Sequence, residues 1–292
     1  MMNPADAFRL AWESLFFECP NVSSVTPLIG GSINPIFKVE CSEGQFVMKL
    51  NSSSKYPKMF LVEAKGLEIL SETKTISCAD VIGVCELETH QVLILNYIPS
   101  TKRNTNFFEN FGVRLAHLHQ HTASYFGLDH NNYMGRIPQN NNKELTATDF
   151  FINQRLLPQL DLAMAHKTIT KELRIKFDAL FLKMESLLPN EPSSLIHGDL
   201  WNGNFIVGED GNVVLIDPAV SYFSREADIA MTKLFGGFDE SFYASYQEVF
   251  PLQPQWENRI PLWNLYPLLV HVNLFGGSYL NYLKANLRFF DD

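Results

Sequence analysis

The amino-acid sequence predicts an α+β protein with a small antiparallel sheet in its first third and a larger, mainly helical part after it. In the first hundred or so residues, short runs of alternating apolar residues are separated by glycine-containing turns. After about residue 107, apolar residues recur at helical intervals. We therefore predict one domain over residues 1–98 and a second over residues 99–292.

The first predicted domain contains two helices and five strands. Apolar spacing predicts an opening helix over residues 6–18 and a second helix over residues 59–70. Strands are predicted where apolar residues alternate between turn residues, at 24–29, 36–40, 45–50, 79–84 and 92–97.

The second predicted domain is helical apart from one strand–loop–strand segment at residues 195–217. Residues 128–144 are rich in Asn, Gly and Pro, which predicts a long functional loop. Helices are predicted at 107–121, 148–165, 168–188 and from about residue 226 onward.

Composition narrows the class of protein. A chain of 292 residues with 46% hydrophobic and 19% charged residues can fold around a sizeable core. A net charge of −9 argues against a nucleic-acid partner. We expect no membrane segment and no secretory signal, because long apolar stretches and a basic leader are missing from the sequence. Four cysteines without metal-ligand spacing indicate reduced thiols in a cytoplasmic protein: Cys19, Cys41, Cys78 and Cys85.

The strand–loop–strand segment carries the most informative motif. Residues 197–204 match the spacing H-x-D-L-x-x-x-N, which is the catalytic-loop pattern of kinases. Asp199 and Asn204 lie within this loop, and Asp217 ends the apolar run that follows it. The alternative for this segment is an ordinary turn rich in Asp, Asn and Gly, which the combined spacing of the three polar positions disfavours.

This spacing suits phosphoryl transfer, in which an acceptor hydroxyl is aligned with the γ-phosphate of ATP and metal ions neutralise charge. Asp199 is predicted to orient the hydroxyl and accept its proton as the catalytic base. Asn204 and Asp217 offer hard oxygen ligands, so we predict that they bind Mg²⁺. His197 is predicted to brace the loop.

The predicted nucleotide-binding side lies in the first domain. Gly30, Gly31 and Ser32 form a turn where backbone amides can approach phosphates, although a glycine pair is also an ordinary hairpin turn. Lys49 ends a strand that resembles the kinase strand whose lysine holds the α- and β-phosphates. Glu63 lies on the following predicted helix, and we expect it to orient Lys49 through an ion pair.

The strand that ends the first domain is the candidate adenine site. The backbone of Asn96, Tyr97 and Ile98 is predicted to hydrogen-bond the base. An ordinary buried strand is equally compatible with this sequence, because such recognition uses backbone groups and does not depend on particular side chains.

Further segments narrow the comparison from kinases to one family. The most specific of them are residues 197–204 with Trp201, then 216–219, 225–229, 234–238 and 273–279. In these segments, and over nearly its whole length, the chain resembles the fructosamine kinases or ketosamine-3-kinases. These are relatives of the aminoglycoside phosphotransferases with the protein-kinase-like two-lobe fold.

The resemblance implies ATP- and Mg²⁺-dependent phosphorylation of the 3-hydroxyl of a fructosamine- or ribulosamine-type ketosamine. The 3-phosphate is unstable and releases the amine, which implies a role in the deglycation of amines or proteins. Trp201, His271 and Asn273 match substrate-side positions, for which core packing is the alternative, and Asp228 matches an acidic residue that braces the catalytic loop. Ser32 stands where several family members carry a redox-active cysteine, so no such switch is expected.

Two other classes of function remain open from the sequence. One is a different small-molecule kinase on the same fold, acting on an aminoglycoside or choline. The other is a non-catalytic pseudokinase, which the presence of every predicted catalytic group disfavours. The expected partner is a ketosamine, either as a small molecule or bound to a protein.

Overall fold

The computed structural model describes residues 2–28 and 34–291. The chain forms two compact units, each built from two separate stretches. The first unit comprises Met1–Phe107 and Phe205–Pro218, and the second comprises Phe108–Asn204 and Ala219–Asp292. The division predicted between residues 98 and 99 stays a prediction. Within the part of the chain that is described, no helix is long and apolar enough to span a membrane.

The first hundred residues alternate between helices and strands. In chain order the elements are α1 (Pro4–Phe16), β1 (Val22–Pro27), β2 (Ile36–Cys41), β3 (Gly44–Ser52), α2 (Met59–Glu72), β4 (Ser77–Cys78), β5 (Val81–Glu86) and β6 (His90–Asn96).

The next stretch is helical, with short strands between the helices. Its elements are α3 (Phe107–His119), β7 (Thr122–Ala123), β8 (Asn132–Met134), β9 (Ile137–Gln139), α4 (Ala147–Asp149), a π-helix (Phe150–Leu156), α5 (Leu157–Ala165), α6 (Lys171–Phe181) and α7 (Met184–Leu187).

Four strands and then five helices complete the chain before a short 3₁₀ turn. They are β10 (Ser193–Ile196), β11 (Phe205–Val207), β12 (Val213–Leu215), β13 (Ser221–Phe223), α8 (Glu226–Leu234), α9 (Glu240–Val249), α10 (Trp256–Trp263), α11 (Leu265–Phe275), α12 (Ser278–Leu287) and the turn Arg288–Phe290.

A five-stranded antiparallel sheet in the order β1-β2-β3-β6-β5 forms the centre of the first unit. Successive side chains of a strand point to opposite faces. Phe46 and Met48 of β3 therefore share the face that α1 covers, where the rings of Trp12 and Phe46 lie 4.8 Å apart. Lys49 consequently points to the other face.

A second sheet of the first unit combines residues that are far apart in sequence. β11 and β12 form an antiparallel hairpin, and β12 pairs in parallel with β4. Asp217 follows β12 by two residues, so this small sheet sets the position from which its side chain extends.

The second unit encloses a large apolar core formed by its helices. A three-stranded sheet in the order β13-β10-β7 leads into the catalytic-loop segment at Ile196. The segment predicted as a loop over 128–144 instead contains the β8–β9 hairpin. This hairpin is not apparent in the sequence because its strands have only three residues each and include the buried amides Asn132 and Gln139.

The helix predicted over 148–165 has a wider turn in its first half. Residue 158 is a proline and offers no N–H to the carbonyl of Gln154, four positions earlier. That carbonyl accepts a hydrogen bond from the guanidinium of Arg155 at 3.2 Å. The π-helix ends immediately before α5, and such wide turns are frequently found at functional sites.

Candidate active site

Lys49 forms the centre of a charged cluster in the first unit. Its Nζ lies 2.6 Å from Oε1 of Glu63, as the spacing of strand and helix predicted, and it also pairs with Oδ1 of Asp217. The Lys49 side chain is 5% exposed and that of Asp217 is 38% exposed. One buried cation thus joins β3, α2 and the residue that follows β12.

The two carboxylates control the charge of this lysine. Burial alone lowers the pKa of Lys49, but the negative charges of Asp217 and Glu63 outweigh it and hold the pKa above its ordinary value. Lys49 therefore stays protonated across the physiological range. A fixed positive charge of this kind is suited to binding phosphate oxygens.

Asp217 has an unusual backbone conformation. Its φ angle is +55°, in the left-handed region that non-glycine residues seldom occupy and that Asp tolerates better than most. Strained residues of this kind cluster at functional sites.

The catalytic loop of the second unit orients Asp199 through its own residues. The side-chain Nδ2 of Asn204 donates to the backbone oxygen and to Oδ2 of Asp199, each at 2.8 Å. The backbone N–H of Asp199 donates to Nδ1 of His197 at 3.2 Å. His197 is fully buried, so the imidazole holds the turn of the loop, which agrees with the bracing role predicted for it.

Asp228 of α8 binds the backbone just before Asp199. Its two carboxylate oxygens accept from the N–H groups of His197 at 2.7 Å and Gly198 at 2.8 Å. The bracing predicted for Asp228 is confirmed by these contacts. Burial alone raises the pKa of Asp228, but the hydrogen bonds that it accepts from His119 and from the loop backbone favour its charged form, and the pKa lies below its ordinary value.

His119 at the end of α3 links Asp228 to α9. Its Nε2 lies 3.2 Å from Oδ2 of Asp228, and its Nδ1 lies 2.8 Å from the hydroxyl of Tyr246. Burial lowers the pKa of His119, although the Asp228 carboxylate opposes this. A neutral imidazole that donates from Nε2 and accepts at Nδ1 satisfies both contacts. Sequence reasoning assigned no individual role to His119.

Two of the predicted substrate-side residues lie in one aromatic cluster of the second unit. The rings of Trp201 and Phe235 are 5.9 Å apart, and those of Phe235 and His271 are 5.0 Å apart. His271 also lies 4.8 Å from the ring of Tyr279. The ring of Trp201 is partly exposed (36%), two residues beyond Asp199. Sequence reasoning missed Phe235 and Tyr279, although both lie in the aromatic segments that carried the resemblance.

The third predicted substrate-side residue has different partners. The Nδ2 of Asn273 donates to the backbone oxygen and to Oε1 of Gln159, each at 2.9 Å. These bonds join α11 to α5, a packing role that the alternative interpretation anticipated.

The predicted adenine-binding residues extend from the end of β6. The backbone N–H of Asn96 donates to the backbone oxygen of Asp80 at 3.0 Å, and that of Tyr97 donates to the backbone oxygen of Gln45 at 3.2 Å. Among the residues whose structure is described, no backbone acceptor is found for the N–H of Ile98. Of the three backbone N–H groups, that of Ile98 is therefore the one best able to donate a hydrogen bond to adenine. Gly30, Gly31 and Ser32 lie outside the described residues.

A buried polar group that the sequence analysis missed lies close to the catalytic loop. The hydroxyl of Tyr266 donates to Oε1 of Gln139 at 2.6 Å. Burial raises the pKa of Tyr266 to about 12, with Arg155 opposing this and the charge of Asp199 adding to it. Tyr266 lies in an apolar helix and Gln139 lies in the segment predicted to be a functional loop, and no individual role was predicted for either residue.

Comparison with solved structures defines the class of fold. Aminoglycoside phosphotransferase APH(4)-Ia superposes with a TM-score of 0.64 at 14% identity, covering 99% of this chain and 100% of that one. At this identity the likeness shows the fold alone, and it confirms the predicted α+β, protein-kinase-like fold.

The family follows from closer relatives. The fructosamine kinase family model matches residues 11–289. A probable ketoamine kinase of Vibrio parahaemolyticus is 39% identical, covering 94% of this chain and 95% of its own length. One of Enterococcus faecium is 36% identical, covering 87% and 91%. A candidate fructosamine-3-kinase of Thermobifida fusca superposes with a TM-score of 0.87 at 30% identity, covering 97% and 98%.

This chain belongs to the fructosamine kinase family. It is an enzyme of the phosphotransferase class, as the catalytic-loop motif and the resemblance both predicted.

Proposed function

We propose that this enzyme transfers the γ-phosphate of ATP to the 3-hydroxyl of a ketosamine. The observation that carries the proposal is the buried Lys49 held between Glu63 and Asp217, in a chain whose relatives are ketoamine kinases. A lysine fixed in this way and permanently charged is the arrangement that kinases use to bind ATP phosphates. Gly30, Gly31 and Ser32 are proposed to add backbone donors for the same phosphates.

Asp199 is proposed as the catalytic base. The Asn204 amide holds one of its carboxylate oxygens, which limits the directions in which the carboxylate can approach an acceptor hydroxyl. In the reaction, Asp199 accepts the proton of the 3-hydroxyl as the hydroxyl oxygen bonds to the γ-phosphorus and the bond to the ADP oxygen breaks.

The donor set suits Mg²⁺, which is proposed to be held by Asn204 and Asp217. The Nδ2 of Asn204 is engaged by Asp199, so its amide oxygen is the atom available to a cation. Asp217 adds a partly exposed carboxylate. Waters and the phosphate oxygens of ATP would complete the coordination of the ion. When bound, Mg²⁺ supplies charge neutralisation to the phosphates.

The base of ATP is proposed to bind along residues 96–98. The N–H of Ile98 is suited to donate to a ring nitrogen of adenine. The side chains of Asn96 and Tyr97 are not required for this contact, since the recognition uses the backbone.

The aromatic cluster of Trp201, Phe235 and His271 is proposed to contact the ketosamine. The amine nitrogen of a ketosamine is protonated at neutral pH, and a cation over an aromatic face is favourable by about 0.5–2 kcal/mol. Asn273 is retained as a substrate-side candidate. The product 3-phosphate would release the free amine, so the proposed role is deglycation in the cytoplasm.

An acceptor panel with Mg-ATP tests the proposal. ADP formation is measured with ribulose-lysine, erythrulose-lysine, fructose-lysine, choline and kanamycin. We expect turnover on a ketosamine and its loss in an Asp199→Asn variant. Turnover on choline or kanamycin alone would refute the substrate class. Binding of ATP without turnover on any acceptor would favour a pseudokinase.

A further inference from the structure

Three buried amide side chains in and beside the β8–β9 hairpin form one hydrogen-bonded network, and two of them donate to one short backbone segment. Asn132 donates to the backbone oxygen of Val220 at 2.9 Å. Gln139 donates to Oδ1 of Asn132 at 2.8 Å and to the backbone oxygen of Ala219 at 3.3 Å. Asn141 donates to the same Oδ1 of Asn132 at 3.1 Å. We name Asn132, Gln139 and Asn141 the amide clamp, and each is at most 5% exposed.

Two further side chains fix the orientation of the clamp. Tyr266 donates to Gln139, which leaves the Gln139 nitrogen facing Asn132 and Ala219. Arg155 donates to Oδ1 of Asn141 at 2.7 Å, which leaves the Asn141 nitrogen facing Asn132. Because Asn132 Oδ1 accepts two bonds, its own nitrogen must point at Val220.

The guanidinium of Arg155 hydrogen-bonds within this network. It is 3% exposed, and its hydrogen bonds in the described part of the chain go to two backbone oxygens and the Asn141 amide oxygen. Its guanidinium lies 4.4 Å from the ring centre of Phe150 and also donates to the backbone oxygen of Asn140. Burial lowers its pKa to about 10. Burying a cation is costly, and the hydrogen bonds to these uncharged acceptors offset part of that cost.

The segment that the clamp holds lies directly against the catalytic loop. The N–H of Ala219 donates to the backbone oxygen of His197 at 2.9 Å. Gly198 has a φ of +83°, and a Cβ at this position would lie 2.1 Å from the backbone oxygen of Ala219. The carbonyl that accepts from Gln139 is therefore the group against which Gly198 packs, one residue before Asp199.

We propose that Gln139 is a positioning residue for phosphoryl transfer. Its amide fixes the Ala219 carbonyl, that carbonyl fixes the backbone of Gly198, and Gly198 sets the position of Asp199. This inference rests on the proposed role of Asp199 and adds a second support for the loop, beside the bonds that Asp228 makes to its backbone. A misplacement of about 1 Å in a reacting group can cost about 10²-fold in rate, so a contact this close to the base affects turnover.

A Gln139→Met variant tests the proposal, with Gln154→Met as the matched control. Both substitutions replace a buried amide by a thioether of similar volume. Gln154 is 9% exposed and bonds to Glu144 and Asn142, away from Ala219. We expect Gln139→Met to lower kcat about 10- to 100-fold with little change in KM for ATP, and Gln154→Met to lower it less than about twofold.

Hydrogen exchange at the Gly198 amide gives a second readout that needs no acceptor. That amide is protected by its bond to Asp228. Exchange roughly tenfold faster in Gln139→Met than in Gln154→Met would support the positioning role. Equal exchange and equal kcat in the two variants would overturn it. If the wild type turns over no ketosamine, the proposed function fails, while the exchange comparison still decides the role of the clamp.

Discussion

The ammonium of Lys49 is held by two carboxylates at a site where the lysine side chain is almost inaccessible to water. The sequence predicted the pairing with Glu63, because a strand followed by a helix brings positions 49 and 63 together in kinases. The pairing with Asp217 was not predicted, since it joins positions 168 residues apart. Local spacing predicts contacts between neighbouring elements, whereas this contact depends on how β12 joins β4.

Replacing this lysine should destabilise the protein. In Lys49→Met, two partly buried carboxylates lose their cation, and breaking a buried ion pair in this way costs about 3–5 kcal/mol. Urea denaturation of the wild type and the variant measures the free energy of unfolding. Lys38→Met is the control, because Lys38 lies 2.8 Å from Glu40 in a pair whose side chains are 22% and 39% exposed, and ion pairs near the surface contribute little. Equal stability of the two variants would contradict the account of Lys49.

Three elements meet at the catalytic loop of the second unit. β10 leads into the loop, α8 supplies Asp228 to its backbone, and α3 supplies His119 to Asp228. The sequence predicted β10 and α8 because their apolar patterns are regular. It missed the β8–β9 hairpin and the π-helix, because strands of three residues leave no periodic signal and one proline in an apolar helix does not specify a π-turn.

The link between α3 and α8 should make stability depend on pH. Burial lowers the pKa of His119, so as pH falls through about 6.5 the unfolded chain gains a proton that the folded chain lacks. The free energy of unfolding therefore decreases as the pH is lowered, by at most about 1.4 kcal/mol per pH unit for this group. In His119→Gln the fall should be shallower, and denaturation from about pH 7.5 to about pH 5.5 measures it.

The wild type and the His119→Gln variant both contain His271. Its pKa is also lowered, by burial, so its contribution cancels in the difference between the two curves. Parallel curves for the wild type and His119→Gln would show that the pKa of His119 is the same in the folded and unfolded states, which would contradict this prediction.

At the scale of the whole molecule, the chain returns to its first unit after most of the second has been traversed. Residues 205–218 contribute β11, β12 and Asp217 to that unit, where Thr101 donates to the backbone oxygen of Gly208 at 2.6 Å. The sequence predicted a simple division near residue 98, because composition and periodicity describe consecutive segments. They do not report that a distant hairpin pairs with a two-residue strand such as β4.

A fragment of residues 1–107 should therefore lack part of the first unit, namely the β11–β12 hairpin that pairs with β4. We expect residues 1–107 joined by a flexible linker to 205–218 to melt several degrees higher than residues 1–107 alone, because β4 then regains its partner strand. Circular dichroism measures both transitions. A fragment carrying the same residues in scrambled order is the control, and an equal melting temperature for it would refute the contribution of the hairpin.

The proposed chemistry is tested most directly by locating the new phosphate. Phosphorus–proton correlation spectra are recorded during the reaction of ribulose-lysine with Mg-ATP. We expect a phosphorus signal coupled to the proton on C3, followed by the appearance of free lysine, and a rate about 10²–10⁴-fold lower in Asp199→Asn. Coupling to the protons of a terminal carbon, or an Asp199→Asn variant as fast as the wild type, would contradict it.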